Sequence, residues 1–153
     1  MKIALGSDHA GFELKEHLRA YLAGLNIDAL DLGTYSQEAV DYPDVASRVA
    51  EKVVRGEVEK GILICGTGIG MSIVANRFPG VRAALCHDSF TARLSREHNN
   101  ANILVLGGRM IGKGLARELL KVWLETEFQG GRHQRRLDKI TALEEKVGKP
   151  RKK

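Results

Sequence analysis

Short apolar runs alternate with helical patterns from one end of this chain to the other, and that rhythm limits the folds open to it. Ile3-Ala4-Leu5 reads as a first strand, followed by Leu14, Leu18, Tyr21, Leu22 and Leu25 at helical spacing. A second strand, 27–32, ends at Gly33, and Val45, Val49 and Val53 stripe a helix that stops near Gly56. The run 61–65 is a third strand, and its helix carries Ile69, Ile73 and Val74. A fourth strand over 81–85 leads to a helix with Phe90 and Leu94, capped by Asp88. Residues 103–106 form a fifth strand, before helices striped by Leu115, Leu119, Val122 and Trp123 and then by Leu137, Ile140 and Val147. Continuous apolar strands separated by amphipathic helices predict a parallel sheet covered on both faces, a three-layer α/β/α sandwich with a C-terminal helix.

At 153 residues the chain suits one domain, expected over 1–148, with a basic tail over 149–153. The net charge of +5 is uneven, concentrated at Arg132, Arg135, Arg136 and the C-terminal lysines. The tail reads as a solvated end, and no groove-reading motif accompanies it, so nucleic acid is not an expected partner. Aromatics make up only 5% of residues, which also disfavours base stacking. No apolar run approaches a membrane span, and the first residues are strand-like rather than a signal peptide. Two cysteines without a C-x-x-C pair cannot build a disulfide framework, and a reducing, cytoplasmic location is expected.

In a sheet of this kind ligands bind outside the carboxyl ends of the strands. That selects the loops 7–11, 33–35, 65–70, 86–88 and 107–109. The loop 65–70 carries the most chemistry: Cys65 ends an apolar strand, and Gly66-Thr67-Gly68-Ile69-Gly70 follows at once. Glycines let backbone N–H groups approach an anion, a helix start adds a positive dipole end, and a thiolate is stabilised beside both. The spacing is neither a P-loop nor G-x-G-x-x-G, and a cysteine phosphatase would need an arginine where Met71 stands. The competing reading is tight strand–helix packing. Cys86 closes a strand without a glycine nest and reads as packing, although a Cys65–Cys86 redox pair stays open.

Two histidines and a basic cluster complete the candidates. Asp8 suits a cap, and His9 beside it is a turn residue or a ligand. His98, in Arg96-Glu97-His98-Asn99-Asn100, is a candidate general acid or base, because an imidazole titrates near neutrality. No spacing resembles a metal site. In Gly130-Gly131-Arg132-His133-Gln134-Arg135-Arg136, a helix beginning at Arg132 would put Arg132 and Arg136 on one face, where two guanidinium forks suit a phosphate. Cations at a helix start oppose its dipole, so the placement is unfavourable for the helix alone.

Taken together, these residues resemble the ribose-5-phosphate isomerase B family, which includes allose- and galactose-6-phosphate isomerases. The matching pieces are G-S-D-H-A-G-F at 6–12, D-Y-P-D at 41–44, G-I-L-I-C-G-T-G-I-G at 61–70, L-S-R-E-H-N-N-A-N at 94–102, L-G-G-R at 106–109 and G-G-R-H-Q-R-R at 130–136. The resemblance implies a five-stranded, Rossmann-like parallel sheet and an aldose–ketose isomerase acting without metal or cofactor. It implies that Cys65 is the base and that His98 opens the sugar ring. Asp8, His9, Tyr42, Thr67 and Asn99 match substrate contacts, and Arg109, Arg132 and Arg136 match the arginine positions. Of these, His9, Arg132 and Arg136 are the phosphate candidates. Some relatives use a carboxylate in this loop, but no acid occurs here between Cys65 and Met71. The resemblance further implies a homodimer, or a tetramer, whose sites draw on two subunits, with His98 and Asn99 across the interface from Cys65.

Overall fold

A computed structural model describes residues 1–148, and the basic tail expected over 149–153 lies outside the described residues. The chain runs β1 (Lys2–Ser7), a 3-10 turn (His9–Gly11), α1 (Phe12–Gly24), β2 (Asp28–Asp31), α2 (Tyr42–Val54) and β3 (Lys60–Cys65). It continues through α3 (Ile69–Ala75), β4 (Ala83–Leu85), α4 (Ser89–Glu97), β5 (Ile103–Gly107), α5 (Lys113–Glu125) and α6 (Arg132–Gly148). The strands form one 5-stranded sheet in the order β2-β1-β3-β5-β4, every pairing parallel. This is the expected three-layer α/β/α architecture.

Period-two alternation divides each central strand between two cores. Ile3 and Leu5, Ile62 and Ile64, and Leu104 and Leu106 face a layer built from Leu14, Leu18 and Leu22 of α1, Ala92 of α4, and Leu119, Leu120 and Trp123 of α5. Ala4, Leu63, Cys65, Ile103 and Val105 face the other layer, built from Val45, Ala46, Val49 and Ala50 of α2 with Met71 and Ala75 of α3. Both faces are apolar, which is why β3 and β5 read as unbroken hydrophobic runs. Lys15 is the exception. Its side chain is fully buried, and its charge is met by Asp31 at 2.6 Å and Glu16 at 3.0 Å, which ties α1 to the end of β2.

Several elements depart from expectation. The ladder of β4 begins at Ala83 rather than Val81. The N–H groups of Arg82 and Ala83 donate instead to the side-chain oxygens of Asn102 and Asn76, at 2.8 Å each. In α3 the buried pair is Met71 and Ala75, while Ile69 and Ile73 are each 54% exposed. The helix enters from Gly68 in the left-handed region (φ 80°), and this rotation turns Met71 onto the sheet. In α6 only His133 and Leu137 are buried, and Ile140, Leu143 and Val147 lie exposed along the same helix. Asp88 caps α4 as expected, accepting from the Thr91 N–H at 2.7 Å.

Candidate active site

The chain leaves β1 toward β2 on one side and returns to β3 on the other, so a crevice opens at the carboxyl ends of β1 and β3. Backbone contacts draw the loops there together. A Cβ on Gly11 would stand 2.5 Å from the Ile64 carbonyl oxygen, and one on Gly108 would stand 2.9 Å from the Ala10 carbonyl oxygen. Only glycine permits either approach. The Gly108 N–H donates to the Cys65 carbonyl at 2.8 Å, and the Arg109 N–H donates to the Gly66 carbonyl at 2.9 Å.

Cys65 is the last residue of β3, buried at 5% exposure on the α2–α3 side of the sheet. Cys86 belongs to the core on the opposite side. The sheet therefore separates the two thiols, both are free, and the redox-pair alternative falls away. After Cys65 the N–H groups of Gly66, Thr67 and Gly68 have no partner among the described residues, while the Ile69 N–H donates to Thr67 Oγ1 at 3.2 Å. Three unpaired donors beside a thiol have the form of a nest that suits an anion. Its roof is Tyr42, whose ring lies 2.6 Å from where a Cβ on Gly70 would stand. The Arg109 guanidinium lies over Gly66, 3.3 Å from the corresponding point there.

Asp8 and His9 approach from β1. Asp8 is buried, and its Oδ1 accepts from the Gly11 N–H at 3.0 Å, so it is the cap that the sequence allowed. His9 Nδ1 accepts from the Val40 N–H at 3.2 Å. That bond places the proton of the neutral ring on Nε2 and makes Nε2 a donor toward a ligand.

A second cluster forms where α4 meets α6. His98 follows the last turn of α4, half-buried, with Asn99 exposed beside it. Asn99 shares a cavity of about 260 Å³ with Leu85, Cys86 and Ser95. Helix α6 does begin at Arg132, after Gly130 (φ 66°) and Gly131 (φ 57°), so Arg132 and Arg136 stand one turn apart and exposed. Among the described residues no carboxylate pairs with Arg109, Arg132 or Arg136. Unpaired guanidiniums suit a dianionic phosphate. Among the described residues no hydrogen bond or ion pair joins this cluster to the Cys65 loop.

Sequence reasoning missed His133. Its ring stacks on His98 with centroids 4.2 Å apart and planes 13° apart. Burial, followed by the nearby His98, Arg132 and Arg136, pushes its pKa below the ordinary histidine value. It sits between two arginines that drew attention by their charge, and nothing in the sequence spacing links positions 98 and 133. Among the described residues, no group of three or more His, Cys, Asp or Glu is placed to hold a metal ion, and no helix is long and apolar enough to cross a membrane.

A parallel α/β sheet with a thiol, N–H donors and the Arg109 guanidinium gathered at its switch point has the layout of an α/β enzyme. The profile of the family described as Ribose/Galactose Isomerase matches residues 3–140, and the chain belongs to that family of isomerases. It is 49% identical over 145 residues to ribose-5-phosphate isomerase B of Escherichia coli, covering 95% of this chain and 97% of that protein. It is 42% identical over 142 residues to D-erythrulose-4-phosphate isomerase of Pectobacterium atrosepticum, covering 92% and 93%. The solved ribose-5-phosphate isomerase B of Clostridium thermocellum superposes with a TM-score of 0.96 at 51% identity, covering 97% of this chain and all of that one.

Proposed function

We propose that the protein interconverts D-ribose 5-phosphate and D-ribulose 5-phosphate, with Cys65 as the base and His98 opening the furanose ring. The observation that carries this reading is the free thiol of Cys65 beside the unpaired N–H groups of Gly66, Thr67 and Gly68. In the closed sugar the O1 proton passes to solvent, C1=O1 forms, and the C1–O4 electron pair goes to O4, which takes a proton from His98. The Cys65 thiolate then removes the C2 proton, leaving an enediolate with its charge on O1. A proton moves from O2 to O1, and the Cys65 thiol returns its proton to C1, which gives the ketose and restores the thiolate. One thiolate can serve both carbons, and the loop N–H groups would stabilise the oxygens where charge develops. His9 Nε2, Arg132 and Arg136 would hold the phosphate, while Asp8, Tyr42, Thr67, Asn99 and Arg109 would position the sugar. Binding energy gathered at the phosphate then orients the reacting carbons.

The working unit in this reading is a homodimer whose sites are shared. Two observations support it: the Cys65 loop and the His98–Arg132–Arg136 cluster are not joined within one chain, and α6 exposes Ile140, Leu143 and Val147. Reduced thiols in both cysteines suit the cytoplasm. Because relatives in this family carry names for sugar phosphates of different length, the sugar is the part of the proposal to test first. Purified protein assayed side by side on ribose 5-phosphate, allose 6-phosphate and galactose 6-phosphate should turn over the pentose with the highest kcat/KM. A higher value for either hexose phosphate would overturn the substrate assignment.

A further inference from the structure

The way the His98 ring is held carries one inference further, and it rests on the functional reading above. Among the described residues no group hydrogen-bonds either nitrogen of His98. A histidine is ordinarily oriented by a hydrogen bond to one ring nitrogen, which takes that nitrogen out of use. Here the plane of His98 is matched instead by His133, parallel within 13° at a centroid distance of 4.2 Å. A face contact fixes the otherwise broad ring torsion and leaves both nitrogens free at the edge. We propose that His133 is a positioning residue that holds the His98 imidazole by its face, in the plane needed to open the sugar ring.

The platform is itself firmly placed. His133 is only 4% exposed in the first turn of α6, and its N–H donates to the Gly130 carbonyl at 3.1 Å. Its Nε2 is buried without a partner, so the contact it offers His98 is the ring and not a hydrogen bond. Glu97 on α4 and Arg132 and Arg136 on α6 are the charged groups around the pair, and burial, followed by His98 and the two arginines, pushes the His133 pKa down. A neutral ring face accepts an imidazolium on His98, whereas a charged one would repel it. The same helix start thereby carries the arginines proposed for phosphate and the surface that aims the acid.

The two chemical steps can be read separately. Ribulose 5-phosphate is acyclic, because its O5 is esterified, so solvent deuterium entering at C1 reports the Cys65 step without ring opening. Conversion of ribose 5-phosphate, which is a furanose, needs both steps. His133→Ala should lower kcat for ribose 5-phosphate by about 10- to 100-fold, as expected for a misaimed catalytic group, while deuterium exchange into ribulose 5-phosphate stays at the wild-type rate. His133→Phe should restore conversion, since it supplies a ring face, and should not lower Tm, since it removes the unpaired nitrogen. His133→Gln should not restore it. His98→Asn should show the same split as His133→Ala.

Equal loss of both rates in a folded His133→Ala, loss of neither, or rescue by Gln but not Phe would overturn the positioning role. If His98→Asn spares both rates, the ring-opening assignment of His98 is what fails. If the wild type does neither reaction, the function itself is misassigned and this inference falls with it.

Discussion

Cys65 ends β3 beside the unpaired N–H groups of Gly66, Thr67 and Gly68, whereas Cys86 lies among Ala92, Leu104 and Leu106, where burial pushes its thiol up. The Thr91 and Ser95 hydroxyls near Cys86 offset that burial only in part, whereas Cys65 lies beside three backbone N–H groups open to a developing charge. Replacing Cys65 with Ala should therefore remove turnover of ribose 5-phosphate by roughly 10²-fold or more, the usual range for a general base. Binding of the sugar phosphate, followed by calorimetry, should persist. Activity within a few-fold of wild type in a coupled assay would exclude the thiolate as the base. The strand–cysteine–glycine run made Cys65 legible in the sequence, because each residue type has its own reason to be there. His133 was not legible, since a ring stack between positions 98 and 133 follows from how α4 and α6 meet.

Helix α4 shows how an element serves a site placed at its end. Asp88 caps its first turn through the Thr91 N–H, the apolar Ala92 packs into the core, and the helix delivers His98 just past Glu97. Losing such a cap typically costs about 1 kcal/mol, so Asp88→Ala should lower unfolding stability by about 1 kcal/mol in urea titration. No change would mean that the cap bond carries no net stability. The cap was readable because Asp directly precedes a helical pattern. Rotation about a helix axis was not, as α3 and α4 both show. Phe90, Ile69 and Ile73 fit an inward stripe by spacing, yet they are 60%, 54% and 54% exposed. A short helix has two or three faces apolar enough to bury, and the entering turn selects among them.

At the scale of the whole molecule, α6 is anchored through His133 and Leu137 and then carries Ile140, Leu143 and Val147 outward. A stripe of that kind on a helix held at one end suits self-association with a second copy, as the proposed shared site requires. Cys65→Ala and His98→Asn variants should each be strongly impaired on ribose 5-phosphate. When they are mixed and allowed to exchange subunits, roughly a quarter of wild-type activity should return, because half the dimers then contain one intact site of two. No recovery after verified exchange would place both residues of a working site on one chain. The parallel sheet and its layers were accessible from the strand–helix rhythm, but the strand order was not, and the separation of the two clusters was implied only by the family resemblance, because it depends on where α4 and α6 leave the sheet.

The division of β3 between two cores has one more consequence. Odd and even positions of a strand belong to different sides of the molecule, so the thiol's address is a matter of parity. Removing a single residue between 60 and 64 would shift the phase of Cys65 and carry it through the sheet, into the space among α1 and α5 that Ile64 now fills. The glycine loop would remain, but its chemistry would point into oil. A residue added to or lost from a surface loop leaves that address unchanged; one lost from β3 does not.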